Sequence, residues 1–385
     1  MKKVLSLVLA TVFLLLMCVG NTHDASALEY QSKIDAKSAI LMDANSGEVL
    51  YEQDADLPLP PASVTKIMTL LLVMEAIEAG RISLDDAVSV SEAAAQMGGS
   101  QVYLEPGEVM SVEEMIKCVV IASANDAAYA LAEHVAGSEA AFVKMMNVRA
   151  EELGMKNAHF ENTNGLDDTV TDHKMSARDI AIMSRTLLSH EKIMEYTTIW
   201  QDTIRDGAFT LTNTNRLVRF YPGATGLKTG STSKALFCIS ASAEREGLHL
   251  IAVVMGAPTR DIRNAETKKL LDYGFASYAV YKTEGEMLPR VAVQGGKNED
   301  IGLFLKPISL ILEKGKEKRV EVRISIPEVL CAPITANDPV GYAEYLVDGN
   351  VVAKADILAT EDVQQISYAD LLYRLFKEMI GAFAK

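Results

Sequence analysis

The sequence predicts an α/β (α+β) domain in which helices cover a sheet, followed by a small all-β domain and a terminal amphipathic helix. Three observations predict it. Strand-like segments stand at both ends of the first ~280 residues with helical segments between them. After residue 280 the helical spacing gives way to short alternating runs. The last 19 residues, "SYADLLYRLFKEMIGAFAK", return to helical spacing.

The elements follow in order. "MKK", the apolar run "VLSLVLATVFLLLMCVG" and the small-residue site at Ala25-Ser26-Ala27 make residues 1–27 an expected signal peptide. "AILMDA" and "EVLYEQ" flank "NSG" as a β-hairpin. A helix is expected from about Ser63, because Pro60 and Pro61 cannot lie inside it, and Gly80 ends it. Ser111 and Glu114 form a capping box ahead of the apolar, buried helix "MIKCVVIAS". "NDAAYALAEHVAG" and "SEAAFVKMMNVRAEELG" are helices with glycine stops, and Ser176 caps "ARDIAIMSRTLLSH". "GLKTG", "ALFCISASA" and "LHLIAVVMG" are strands, and "IRNAETKKLLDYGFASYAV" closes the domain as a helix. Residues 281–366 then form the β-rich domain. There "VEVRISI" alternates strictly and Asp348-Gly349 signals a hairpin. The organisation is thus 1–27, 28–280, 281–366 and 367–385.

Composition excludes several classes. The chain has 385 residues, 37 basic against 52 acidic, and a formal charge of −15, with no basic block, so nucleic acid is not an expected partner. Cys118, Cys238 and Cys331 are scattered in apolar contexts, which predicts buried free thiols and no disulfide framework. No C-x-x-C or H-x-x-x-H spacing is present, so neither a metal nor another cofactor is expected.

Three motifs carry the chemistry. Ser63 and Lys66 stand three apart, on one helix face, so Lys66 can reach the Ser63 hydroxyl. A serine needs a base to become a nucleophile, and a lysine can be that base only if burial or a nearby cation depresses its pKa. S-x-x-K arises by chance about once in a few hundred residues. Ser189/Lys192 and Ser231/Lys234 also match it. The second motif is Ser123-x-Asn125, where Ser123 can relay a proton and Asn125 can position; equally, both can cap a helix junction. The third is Lys228-Thr229-Gly230, at a strand end. Lys228 can supply the cation, Thr229 a hydrogen bond to a substrate carboxylate, and Gly230 room for a close approach.

In this order the three motifs resemble the penicillin-binding proteins and β-lactamases that act through a serine acyl-enzyme. "PASVTKIMT", "MGGSQVYLEPGE", "ASANDAAYALAE", "GLKTG" and "RNAETKKLLDYGF" are similar to the low-molecular-mass penicillin-binding proteins, serine-type D-alanyl-D-alanine carboxypeptidases of peptidase family S11. The likeness covers residues 37–278 well and the β domain more loosely. It implies an antiparallel transpeptidase-type sheet and removal of the terminal D-alanine from peptidoglycan stem peptides. Ser63, Lys66 and Ser123 would be catalytic. Asn125, Lys228, Thr229, Gly230, Ser231 and Arg263 would bind substrate, Arg263 through its terminal carboxylate and Ser231 through its backbone N–H in the oxyanion hole. β-Lactams would be covalent inhibitors. "HKMSA", residues 173–177, resembles a family segment near the site, with His173 read as structural. Two positions depart from the family. Ser231 stands where an aromatic residue or histidine is common, and Ala124 stands where glycine is. Three other functions stay open: a D,D-endopeptidase, a β-lactamase, for which no deacylating glutamate is identifiable near "NTNGLDD", and a catalytically dead wall-binding protein.

The tail completes the reading. Tyr368, Leu371, Leu372, Leu375, Phe376, Met379, Ile380 and Phe383 fall on one half of a helical wheel, and Asp370, Arg374, Lys377, Glu378 and Lys385 on the other. The segment is too short and too charged to span a bilayer, which predicts a helix lying in the membrane surface or docked on the β domain. With the signal peptide, this places the protein outside the cell, at the outer face of a bacterial cytoplasmic membrane.

Overall fold

The computed structural model describes residues 33–168 and 170–383. The expected signal peptide lies outside the described residues. The hairpin forms as β1 (Ser38–Asp43) and β2 (Val49–Gln53), paired antiparallel. Three further strands, β3 (Ala224–Thr232), β4 (Leu236–Arg245) and β5 (Leu248–Ala257), join it in an antiparallel five-stranded sheet of order β2-β1-β5-β4-β3. The turn between β4 and β5 uses Glu246 and Gly247, both at positive φ (51° and 80°), which matches the twist of the strands they join. β5 is buried along its whole length, as the apolar run Leu250–Met255 requires of a strand between two neighbours with helices on both faces.

Alternate residues of the sheet feed two cores. Ile40, Met42, Ile251 and Val253 face the larger core. It is filled by α1 (Lys66–Glu78), α2 (Val112–Lys117), α3 (Asn125–Ala136), α4 (Glu139–Glu152) and α5 (Ala177–Leu188). Leu41, Ile239, Leu250 and Val254 face the other, closed by Leu270 and Leu271 of α6 (Arg260–Ser277). Ser111 and Glu114 make both halves of the expected capping box, and Ser176 does the same with Asp179.

The helix expected from Ser63 begins as a 3-10 turn, Ala62–Thr65, and becomes α-helical only at Lys66. The helix expected over "MIKCVVIAS" is α-helical to Lys117 and then widens into a π turn, Cys118–Ala122. The last helix of the domain stops at Ser277, and "YAV" opens a strand instead, β6 (Tyr278–Thr283). β-branched and aromatic residues favour that change.

After β6 come β7 (Glu286–Gln294), β8 (Asp300–Leu305), β9 (Ile308–Glu313), β10 (Glu321–Ser325), β11 (Val329–Cys331), β12 (Pro339–Val347) and β13 (Asn350–Ala359). β6 pairs with β9, and the rest form a sheet of order β10-β12-β13-β8-β7-β11 around a third core. The Asp348-Gly349 hairpin is present. The alternating segment forms as the edge strand β10, with Val322 and Ile324 exposed and the flanking Val320 and Ile326 packed partly buried against the third core. One expectation needs correction. Cys331 is exposed at the end of the marginal strand β11, whereas Cys118 and Cys238 are buried free thiols.

The tail forms α7 (Tyr368–Phe383), with Tyr368, Leu372, Tyr373, Phe376 and Met379 all exposed, so these side chains are not packed on the β domain. The side chains of Glu378, Ile380 and Phe383, and all of Lys385, lie outside the described residues. Among the described residues no helix is long and apolar enough to cross a membrane.

Candidate active site

Pro60 and Pro61 end the preceding chain and hand it to the 3-10 turn that carries Ser63. The turn is braced from below. Thr65 Oγ1 donates to the Ala62 carbonyl (2.8 Å) and meets His173 Nε2 at 2.8 Å. His173 Nδ1 accepts from the Glu161 N–H (3.0 Å), so Nε2 carries the hydrogen and donates to Thr65. Gly165 packs directly under the turn: a Cβ there would lie 1.9 Å from the Ala62 oxygen, and its φ is +84°.

Burial lowers His173 to about 4 from 6.5, with Glu161 opposing. The folded state therefore prefers the neutral ring, and the unfolded state binds more protons between the two values. This contribution to stability is complete above about pH 6.5 and is lost as pH falls toward about 4, for a total of roughly 3 kcal/mol. His173→Gln is expected to flatten the pH dependence of denaturant midpoints across that window. An unchanged slope would assign the acid sensitivity to other groups.

Lys66 opens α1 with its side chain turned back toward the serine. Its Nζ lies 2.9 Å from Ser63 Oγ, 2.5 Å from Asn125 Oδ1 and 2.9 Å from the Asn164 carbonyl. Burial, and next the Lys228 charge, hold this amine well below the ordinary lysine range, while Asp126 pulls the other way. Asn125 opens α3, and its Nδ2 donates to the Gly98 carbonyl (2.6 Å), which fixes which amide atom faces Lys66. Between α2 and α3 the chain turns through Ser123, whose φ is +64°. The N–H groups of Ser123 and Ala124 both donate to the Cys118 carbonyl. Ser123 Oγ is buried without a hydrogen-bond partner in a wall of the cleft. A non-glycine residue in this left-handed conformation is uncommon.

β3 supplies the opposite wall. A Cβ at Gly230 would lie 2.8 Å from the Ser63 nitrogen and 2.9 Å from the Pro61 oxygen, so only glycine lets the strand come this close. Lys228 is buried behind the wall and is lowered to about 7, by burial first and then by Arg263. Thr229 Oγ1 donates to Thr214 Oγ1 (2.9 Å). Arg263, in the first turns of α6, is buried, donates to Asn264 Oδ1 (2.9 Å) and meets the Cys238 carbonyl at 3.4 Å. It is lowered to about 10 by burial, then by Arg260 and Arg216.

Ser63, Ser123, Thr229, Gly230, Ser231 and Arg263 line one cleft of about 590 Å³. Lys66 and Asn125 stand directly behind it through the contacts above, and Lys228 Nζ donates to the Thr229 carbonyl (3.1 Å) in its wall. The fold therefore gathers every sequence-predicted site residue. The other S-x-x-K pairs are occupied elsewhere: Ser189 Oγ donates to the Thr186 carbonyl, Lys192 pairs with Glu195, and Lys234 bonds the Asp167 carbonyl. Sequence reasoning missed Ser100, Trp200, Arg216, Phe220 and Arg260, which also line the cleft, and the Asn164 carbonyl on Lys66. The single tryptophan of the chain, just before the short strand Gln201–Ile204, was the one available signal.

The chain is similar to several known proteins. Residues 24–259 match the family profile described as D-alanyl-D-alanine carboxypeptidase, and residues 275–365 match penicillin-binding protein 5, C-terminal domain. The chain is 44% identical over 348 residues to the D-alanyl-D-alanine carboxypeptidase DacF of Bacillus subtilis, across 88% of this chain and 89% of that one. Penicillin-binding protein 5 from Haemophilus influenzae superimposes with a TM-score of 0.76 at 32% identity, over 87% of this chain and 99% of that one. Penicillin-binding protein D2 from Listeria monocytogenes, in its ampicillin-bound form, gives 0.58 at 34% identity, over 63% and 98%. With a family profile matched over more than half its length and a structural neighbour matched along both domains, the chain belongs to the D-alanyl-D-alanine carboxypeptidase family.

Proposed function

We propose that the protein is a serine-type D-Ala-D-Ala carboxypeptidase, exported to the outer face of a bacterial cytoplasmic membrane, that trims the terminal D-alanine from peptidoglycan stem pentapeptides. The observation that carries this reading is the fully buried Lys66 amine, 2.9 Å from Ser63 Oγ and depressed by burial and Lys228. An amine so placed, with its neutral form favoured by burial, can act as a general base toward Ser63.

Ser63 Oγ attacks the carbonyl carbon of the penultimate D-alanine, and its proton passes to Lys66 Nζ. The oxyanion lies between the backbone N–H groups of Ser63 and Ser231, a reading supported by the close approach of β3 to Ser63. The C–N bond then breaks. The proton moves from Lys66 through Ser123 to the departing amine of D-alanine, leaving an ester on Ser63. Water adds to that ester as Lys66 takes its proton; the bond to Ser63 Oγ then breaks, Lys66 returns the proton to Oγ, and the shortened peptide leaves as the free acid. Asn125 holds Lys66 in place. Thr229 and Arg263 hold the terminal carboxylate, and Lys228 adds charge behind them. β-Lactams acylate the same serine, in keeping with the ampicillin-bound relative. A β-lactamase is disfavoured because the third contact of Lys66 is the Asn164 carbonyl and not a carboxylate. Mass spectrometry after incubation with penicillin, and separately with a diacyl-D-Ala-D-Ala peptide, tests the proposal. One penicilloyl adduct and released D-alanine are expected; neither appearing would leave a wall-binding protein.

The exposed aromatic and aliphatic side chains of α7 support an interfacial membrane anchor. Deleting residues 367–385 is expected to release the mature protein from membranes with peptide hydrolysis in solution nearly unchanged. A truncated enzyme that still sediments with membranes would place the anchor elsewhere.

A further inference from the structure

The cleft holds more positive charge than one terminal carboxylate requires. Arg216 and Arg260 line it alongside Arg263, and no lining residue is a carboxylate. Both are exposed, and among the described residues neither takes part in an ion pair. Their charges nevertheless reach the buried Arg263 strongly enough to lower it.

Each is held by its backbone and left free at its tip. Asn213 Oδ1 accepts from the Asn215 N–H (2.8 Å), Asn215 Oδ1 accepts from the Leu217 N–H (3.1 Å), and Asn215 Nδ2 donates to the Gly226 carbonyl (2.9 Å). These bonds pin the chain on both sides of Arg216 to the start of β3. Arg260 is the first residue of α6, behind the Thr259 cap. A cation there opposes the helix dipole, so this placement works against local stability. The chain as a whole carries −15, a net charge that repels an anionic peptide.

We propose that Arg216 and Arg260 form an anion-recruiting rim that draws the free C-terminal carboxylate of the peptide into the cleft and passes it to Arg263. The ligand class is a peptide, or an acylating analogue, bearing a free carboxylate at the departing end. This rests on the carboxypeptidase reading of the cleft. The rim makes the enzyme selective for unsubstituted C-termini, and it acts on encounter and binding, not on the chemical step.

The test compares wild type, Arg216→Gln, Arg260→Gln, the double variant and Arg216→Lys. Acylation is followed with a diacyl-D-Ala-D-Ala peptide and with a small neutral thioester lacking the carboxylate. The double variant is expected to lose about 5- to 10-fold in kcat/KM on the anionic peptide, through KM, with a far smaller loss on the thioester. Ionic strength gives the second readout. Between about 0.01 and 0.1 M the Debye length shortens from about 30 to about 10 Å, so the wild-type rate on the anionic peptide should fall and the double variant's should fall less. Arg216→Lys should restore most of the Arg216→Gln loss. Equal losses on both substrates, or an unaltered salt dependence, would overturn the rim. If wild type acylates with neither substrate nor penicillin, the carboxypeptidase reading itself fails, an outcome separate from a wild type that reacts with no arginine effect.

Discussion

Ser63→Ala abolishes both the penicillin adduct and D-alanine release, a loss expected to be at least about 10⁴-fold, with the fold retained. The size follows from the surroundings of the base. Besides Ser63 Oγ, the contacts of Lys66 Nζ are two amide oxygens, of Asn125 and Asn164, so no second hydroxyl stands ready to take over. Ser189→Ala and Ser231→Ala should still form adduct, because the Ser189 hydroxyl is bonded at a helix end and Lys234 is committed to the Asp167 carbonyl. Peptide mapping of the adduct decides: acylation at any serine other than Ser63 would sink the assignment.

Replacement of Lys66 should cost nearly as much, on the order of 10²- to 10⁴-fold in acylation rate. Two substitutions separate the causes. Lys66→Met keeps the length and removes the base. Lys66→Arg keeps the charge, but a guanidinium does not give up its proton. Wild-type acylation should slow as pH falls through the depressed pKa of Lys66, since the protonated amine cannot accept the serine proton. The Met variant should lose that limb. Stability supplies a check on folding. The folded-state pKa lies below 10.5, so the wild type gains stability as pH rises from that lowered value toward 10.5, and Lys66→Met should remove this gain. A Met variant that keeps a tenth of the wild-type rate would exclude Lys66 as the base.

Much of the site was legible because its chemistry sits in short strings at element boundaries. Proline, serine and glycine punctuate the chain there, and Ser63, Ser123 and Lys228 each fall beside such a signal. The sheet was legible through β5, whose apolar run admits only a central position. What escaped notice did so for identifiable reasons. Arg216 and Phe220 sit at the cap and the end of a single helical turn, Leu217–Phe220, and Trp200 stands just before the short strand Gln201–Ile204, elements too brief for periodicity to report direction. The Asn164 carbonyl is a backbone group, silent in any sequence. His173 looked like a lone histidine because its partners, Thr65 and Glu161, are brought to it by tertiary structure. The alternation of β10 reports a strand faithfully but cannot say that it lies at a sheet edge.

The π turn at Cys118–Ala122 was invisible for a related reason: every residue of a buried apolar run looks alike whatever the helical period. Its effect is one of phase. A turn closed five residues apart carries about one residue more than an α turn, and each residue swings an α-helix by about 100°. The segment between the Ser111 cap and Ser123 therefore holds one surplus residue, and that surplus aims the Ser123 hydroxyl. Removing a single residue there would close the stretch as a regular α-helix and turn Ser123 by about 100° relative to α2. The number of residues in this stretch is thus as much a property of the candidate site as any side chain, although none of the side chains between Ser111 and Ser123 lines the cleft.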